Sequence, residues 1–65
     1  METTLKELEE QMKAEGKSGY VKVQLPTCLA ARNFRIGYFR DCADWHHIDY
    51  NETKVQFIEY VGWRN

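Results

Sequence analysis

Residues 54–63 read KVQFIEYVGW, and no other part of the 65-residue chain is as dense in β-branched and aromatic side chains. This composition is typical of a strand packed in a sheet. At the two-residue period of a strand, the apolar side chains fall on both faces: Val55, Phe57, Val61 and Trp63 on one, Ile58 and Tyr60 on the other. A strand that is apolar on both faces needs cover on both sides, whereas so short a chain supplies one covering layer. The stretch therefore predicts a sheet whose second face meets a partner.

A helix is predicted over residues 3–15. Thr4 and Glu7 have the three-residue spacing of a capping box, in which each side chain accepts a hydrogen bond from the other residue's backbone N–H. A narrow apolar stripe follows at helical spacing, formed by Leu5, Leu8 and Met12. A helix with so narrow a stripe covers one face of a sheet and little more.

Strands are predicted over about 20–25, 34–40 and 54–61. Residues 20–25 alternate apolar and polar side chains, and Pro26 ends them because it has no N–H for the ladder. Residues 41–53 are polar and predicted to be irregular, with a short strand near 45–50 as an alternative. The predicted fold class is α+β: an N-terminal helix packed on one face of a three- to four-stranded antiparallel sheet, in a single small domain spanning residues 1–65.

The uncovered face of this sheet is predicted to be aromatic and cationic, and such exposed apolar area usually marks an interaction site. Its expected members are Tyr20, Lys22, Gln24, Arg35, Phe39, Gln56, Ile58 and Tyr60. Glu59 falls among the apolar positions of the last strand, so we expect a bulge near Gly62 or a different register there.

The net charge of −1 conceals two oppositely charged blocks. Residues 20–40 contain Lys22, Arg32, Arg35 and Arg40 and no acidic residue, whereas residues 41–53 contain Asp41, Asp44, Asp49 and Glu52 and no lysine or arginine. The favoured interpretation is that the blocks neutralise each other across adjacent strands. The alternative is that either block faces a charged partner.

The location of the protein is predicted to be cytoplasmic. The first residues contain neither the basic nor the apolar region of a secretory signal, and no run approaches the ~18 apolar residues of a membrane span. Cys28 and Cys42 are then expected to be reduced thiols.

No metal, cofactor or enzymatic activity is expected. Cys28, Cys42, His46 and His47 are the residues that suggest zinc, but their spacing does not match the paired ligands of known zinc motifs. The sequence contains no Gly-rich phosphate loop, nucleophile elbow or paired-carboxylate pattern.

Single-stranded nucleic acid is the alternative ligand for the basic aromatic face, because rings stack on bases and cations contact phosphates. The sequence pI of about 6.1 is well below the value above ~9 that is common in such domains. A protein interface is therefore favoured.

The leading interpretation is a small non-enzymatic protein-binding module that acts by surface occlusion. Its predicted binding residues combine apolar anchors with charges that set orientation: Tyr20, Phe39, Ile58, Tyr60, Trp63, Arg35, Arg40, Asp41 and Asp44. In size and exposed aromatics the chain resembles in kind the phage-encoded inhibitors of host or defence complexes, anti-CRISPR proteins among them, although no motif indicates a family. The alternatives are a single-stranded nucleic-acid-binding accessory protein and a homodimer that buries its own sheet face.

Overall fold

The computed structural model describes residues 2–63, which form two helices and a four-stranded antiparallel sheet. In chain order the elements are β1 (Glu2–Thr4), α1 (Leu5–Ala14), β2 (Tyr20–Gln24), β3 (Arg32–Arg35), α2 (Phe39–Trp45) and β4 (Lys54–Gly62). The predicted α+β class, with the N-terminal helix packed on the sheet, is confirmed. No helix within residues 2–63 is long and apolar enough to cross a membrane.

The strand order is β1-β4-β2-β3, so the last strand is central and β3 lies at an edge. Strand β1 is not among the predicted strands. It pairs with the beginning of β4, where Thr3 lies opposite Val55. Strand β1 pairs only with residues 54–56 of β4, so within the described residues the remainder of that side of β4 has no neighbouring strand.

The predicted capping box begins α1. Glu7 donates its backbone N–H to Thr4 Oγ1 at 3.2 Å, and Thr4 donates its own to Glu7 Oε1 at 3.4 Å. The Thr4 hydroxyl also donates to Glu7 Oε1 at 3.0 Å. This bond first, then the bond from the Thr4 backbone N–H and the charge of Lys54, lower the pKa of Glu7 below its ordinary value. The helix begins at Leu5 rather than at residue 3 because Thr4 also ends β1.

The core lies between the helices and one face of the sheet. Val21, Val23 and Leu25 are buried there, as their alternation predicts. The remaining buried apolar side chains are Leu5, Leu8, Met12, Phe34, Phe39, Ala43 and Val55.

The predicted strand 34–40 is wrong in its second half. Strand β3 ends at Arg35, Gly37 takes a positive φ of 96° in a turn, and Phe39 begins α2. Phe39 and Ala43, four residues apart, pack into the core on one side of this helix. The predicted irregular segment 41–53 is accordingly helical as far as Trp45.

Strand β4 contains two bulges opposite β2, in agreement with the expected irregularity. The register pairs Tyr20 with Gly62, Val21 with Tyr60, Lys22 with Glu59, Val23 with Phe57 and Gln24 with Gln56. Ile58 and Val61 are therefore the extra residues. Glu59 thereby lies opposite Lys22 on the uncovered face, which is more polar than predicted.

Candidate functional site

A cleft of about 440 Å³ lies between the edge strand β3 and helix α2. Its sheet side is formed by Tyr20, Asn33 and Arg35. Its helix side is formed by Tyr38, Asp41, Cys42, Trp45 and His46. Two of the large exposed aromatic side chains, Tyr38 and Trp45, thus lie beside the edge strand rather than on the open face of the sheet.

Arg35 holds the central position in this cluster. Its guanidinium carbon lies 4.5 Å from the ring centroid of Tyr38 and 5.1 Å from that of Trp63. Cation–π contacts with two rings restrict the side chain while leaving its N–H donors available. Within residues 2–63, no carboxylate lies at ion-pair distance from Arg35. The ion pair found among these residues joins Lys17 Nζ to Glu15 Oε1 at 3.0 Å.

The aromatic end of the cleft is tied to the loop before β2. Tyr20 and Trp63 meet edge to face, with their ring centroids 6.1 Å apart. Trp63 Nε1 donates to Ser18 Oγ at 2.9 Å, and the hydroxyl of Tyr60 donates to the Ser18 carbonyl. These contacts hold Trp63 in place although 57% of its surface is exposed.

Helix α2 presents Trp45 and His46 to the cleft. Trp45 is 80% exposed, which is unusual for so large an apolar side chain. The His46 ring stacks on the buried Phe34 ring, with 5.5 Å between centroids and 9° between planes. One side of the cleft therefore rests directly on the core.

Glu9 fixes the start of α2 from a distant helix. Its carboxylate accepts hydrogen bonds from the backbone N–H groups of Gly37 (2.7 Å) and Phe39 (3.3 Å) and from the Tyr50 hydroxyl (2.5 Å). Tyr38, the N-cap residue of α2, makes no side-chain capping bond. Glu9 supplies the negative charge and the acceptor that a helix N-terminus favours.

Tyr50 is held in its neutral form by this arrangement. Burial, followed by the hydrogen bond and the charge of Glu9, raises the pKa of Tyr50 to about 12, although the nearby Arg40 opposes the shift. The guanidinium carbon of Arg40 lies 4.6 Å from the Tyr50 ring centroid.

The structure brings four of the predicted binding residues together: Tyr20, Arg35 and Asp41 line the cleft, and Trp63 contacts two of them. Others lie elsewhere. Arg40 and Asp44 border a second cavity of about 360 Å³ on the other side of α2. Ile58 and Tyr60, on β4, are 45% and 37% exposed and do not line the cleft.

Phe39 is a correction. Predicted as an exposed apolar anchor, it is fully buried and meets the Phe34 ring edge to face at 5.7 Å. The error follows from the strand assignment, because a strand through residue 39 places this side chain on the open face, whereas α2 turns it inward.

Tyr38, Trp45 and His46 are cleft residues that the sequence reasoning missed. Helical spacing is the signal that identifies them, because residues 38, 42, 45 and 46 fall on one side of a helix. The aspartates between them, Asp41 and Asp44, favoured the prediction that this segment is irregular.

The two charged blocks do not neutralise each other through direct ion pairs in the described part of the chain. The favoured interpretation of the charge pattern was therefore wrong as regards close contacts. Lys22 has an acidic cross-strand neighbour, but that residue is Glu59 rather than a member of the acidic block.

Between Glu2 and Trp63, no three histidine, cysteine, aspartate or glutamate side chains come together in a group that could hold a metal ion. Cys28 and Cys42 are free, half-buried thiols.

Comparison of the chain with protein-family models, with curated proteins and with solved structures finds no match. The geometry of the cleft is therefore the basis for any assignment of function.

Proposed function

We propose that this chain is a non-enzymatic protein-binding module that acts by occluding a partner's surface. The observation that carries the proposal is that the exposed rings of Tyr38 and Trp63 flank Arg35, with exposed Trp45 lining the same cleft. Tryptophan, tyrosine and arginine are the residues that most often dominate binding energy at protein interfaces. Trp63, held by Ser18 and Tyr20, and Tyr38, held by Arg35, lose little conformational entropy on binding.

An inhibitor that covers a functional site on a larger assembly suits a module of this size. Phage-type inhibitors of host or defence complexes are proteins of this kind. The proposed setting is the cytoplasm, since both cysteines are free thiols, the usual state in a reducing compartment.

The test is affinity capture from an extract of the cells in which the chain occurs, with quantification of the captured proteins. We expect Trp45→Ala to reduce capture of the partner about tenfold or more, as for a central aromatic anchor. Leu29→Ala is the matched control, because Leu29 is a fully exposed apolar side chain outside the cleft. Equal capture by wild type and Trp45→Ala would contradict the proposal.

A single-stranded nucleic-acid-binding function is the second candidate. It is favoured by the guanidinium of Arg35, which lies against two rings and has no ion-pair partner within residues 2–63, a geometry that suits a phosphate beside a stacked base. Asp41 in the same cleft, and the overall charge of −1, oppose it.

A further inference from the structure

The edge strand β3 has backbone groups available for another strand. Ile36 donates its N–H to the Gly19 carbonyl at 2.8 Å, and Tyr20 lies opposite Arg35. In an antiparallel pair, hydrogen-bonded and non-hydrogen-bonded positions alternate along the strand. Asn33 and Arg35 therefore occupy the non-hydrogen-bonded positions, and their N–H and C=O groups point away from β2.

Most of these outward groups remain free. The Arg35 carbonyl accepts the Tyr38 N–H at 2.9 Å and so closes the turn into α2. The Arg35 N–H and both backbone groups of Asn33 face the cleft side of the edge, where no further strand lies within the described residues. They form a short template for strand addition.

The cleft supplies side-chain sites on both sides of this template. Asn33 and Arg35 line it from the open face, while Trp45 and His46 line it from α2. A strand added beside β3 alternates its side chains between these two surroundings. Residues on the Arg35 side meet a planar cation, and residues on the Trp45 side meet an aromatic wall.

Charge decides the occupant. Arg32 and Arg35 lie on the edge strand, and neither has a carboxylate at ion-pair distance within residues 2–63. A second copy of β3 (RNFR) brings two further arginines to this edge and no carboxylate for Arg35, which is unfavourable. A carboxylate opposite Arg35 instead accepts two parallel hydrogen bonds from the guanidinium. Asp41 lines the α2 side of the cleft, so acidic residues fit the Arg35 side and apolar residues fit the α2 side.

We propose that β3 and α2 form a groove that takes an extended acidic segment of a protein partner as a fifth strand, with a carboxylate on Arg35 and apolar side chains against Trp45. This inference rests on the proposed function and names the chemistry of the partner at that same site.

The test begins with a random peptide library displayed on phage and selected against the whole chain. We expect enriched sequences in which acidic and apolar residues alternate. A synthetic peptide of the most enriched sequence is then added to ¹⁵N-labelled protein. The amide protons of Asn33 and Arg35 become protected from exchange with solvent, because they donate to the new strand. Absence of enrichment, or unchanged exchange at both amides, overturns the proposal.

Charge-matched variants distinguish strand addition at β3 from nonspecific electrostatic attraction between the protein and the peptide. Arg35→Glu weakens binding of the peptide at least about tenfold, and Arg35→Lys has an intermediate effect because it loses the planar fork. Lys13→Glu, on the exposed side of α1, makes the same change in net charge and leaves binding nearly unchanged. Equal losses for Arg35→Glu and Lys13→Glu overturn the proposal.

Asn33→Pro removes an outward N–H without removing a bond to β2, and we expect it to abolish peptide binding. If this variant does not fold, Arg35→Glu still decides the question. A cellular partner that needs Trp45 but tolerates Asn33→Pro and Arg35→Glu refutes strand addition and leaves the proposed function standing. If Trp45→Ala captures the cellular partner as well as wild type does, the proposed function itself is refuted.

Discussion

Glu9 is a charged side chain that lies almost entirely inside the molecule, with 6% of its surface exposed. A buried carboxylate is costly unless its oxygens are hydrogen-bonded, and here three donors satisfy them. Two of those donors are backbone groups at the start of α2. The helix side of the cleft therefore depends on a residue that does not line the cleft.

Replacing Glu9 by Gln is expected to lower the free energy of unfolding by about 2 kcal/mol, because the charge at the start of α2 is lost and the amide NH₂ replaces the acceptor of the Tyr50 hydroxyl, which must then reverse and accept. Urea unfolding followed by circular dichroism measures the change. Glu10→Gln is the control, since Glu10 is exposed on the same helix and makes no described hydrogen bond. Similar stability of the two variants would argue against the capping role of Glu9.

Tyr50 gives the fold a dependence on alkaline pH. Its folded pKa of about 12 exceeds the ordinary value of 10.0, so the folded state keeps a proton that the unfolded chain releases. This contribution to stability is complete below pH 10 and is lost as the pH rises from 10 through about 12.

Urea unfolding at a series of pH values between 8 and 12 tests this dependence, with those pH values chosen to bracket the shift. We expect wild type to lose more stability over the upper half of that range than Tyr50→Phe does. Tyr38→Phe serves as the control, because the Tyr38 hydroxyl makes no described hydrogen bond. Parallel curves for wild type and Tyr50→Phe would contradict the assignment.

Among the elements, α1 and β2 could be predicted from local signals alone. A capping box, a stripe at helical spacing and a clean two-residue alternation each identify one kind of structure. The boundary between β3 and α2 could not, because what starts α2 is Glu9, a residue thirty positions from Phe39 in sequence. Strand β1 was missed for the same reason, since its pairing with β4 is not local.

The candidate site was predicted in part. Tyr20 on β2 and Arg35 on β3 were both assigned correctly to the uncovered face from the alternation, and the two strands pair with these residues opposite each other. Trp45 and His46 belong to the helix that was read as a loop, so their place beside Arg35 needed the three-dimensional structure.

A glycine just before β2 permits its backbone to approach the end of β4 closely. A Cβ at Gly19 would lie 2.5 Å from the Gly62 carbonyl carbon, and Gly19 has a φ of 97°. Gly19→Ala is expected to cost about 3 kcal/mol or more, from the positive φ and the backbone overlap together.

Gly16→Ala is the matched control for the unfolding measurement. Gly16 also has a positive φ, 72°, but no atom lies within 4 Å of a Cβ placed there. It should show the conformational cost alone, about 1–2 kcal/mol. Equal losses in the two variants would mean that the close approach to Gly62 is not needed.

The molecule as a whole carries ten acidic and nine basic residues, and its cations cluster around residues 20–40. Sedimentation velocity in low salt, with and without a mixed-sequence single-stranded oligonucleotide, tests what this distribution attracts. We expect the protein to sediment at its monomer mass of 7.8 kDa and the oligonucleotide to remain free.

Co-sedimentation that disappears as salt is added would instead support nucleic-acid binding, because each neutralised phosphate releases counterions. A protein that sediments at twice the monomer mass without ligand would support the homodimer.

The central position of β4 also has a consequence for biosynthesis. Strands β1 and β2 each pair with β4, and the two residues in contact at the β1 pairing, Glu2 and Gln56, come from nearly opposite ends of the sequence. The ribosome therefore delivers β1 long before its neighbour in the sheet. Strands β2 and β3 pair with each other once both have emerged, whereas β1 has no partner until β4 follows, so the four-stranded sheet is completed in a late step.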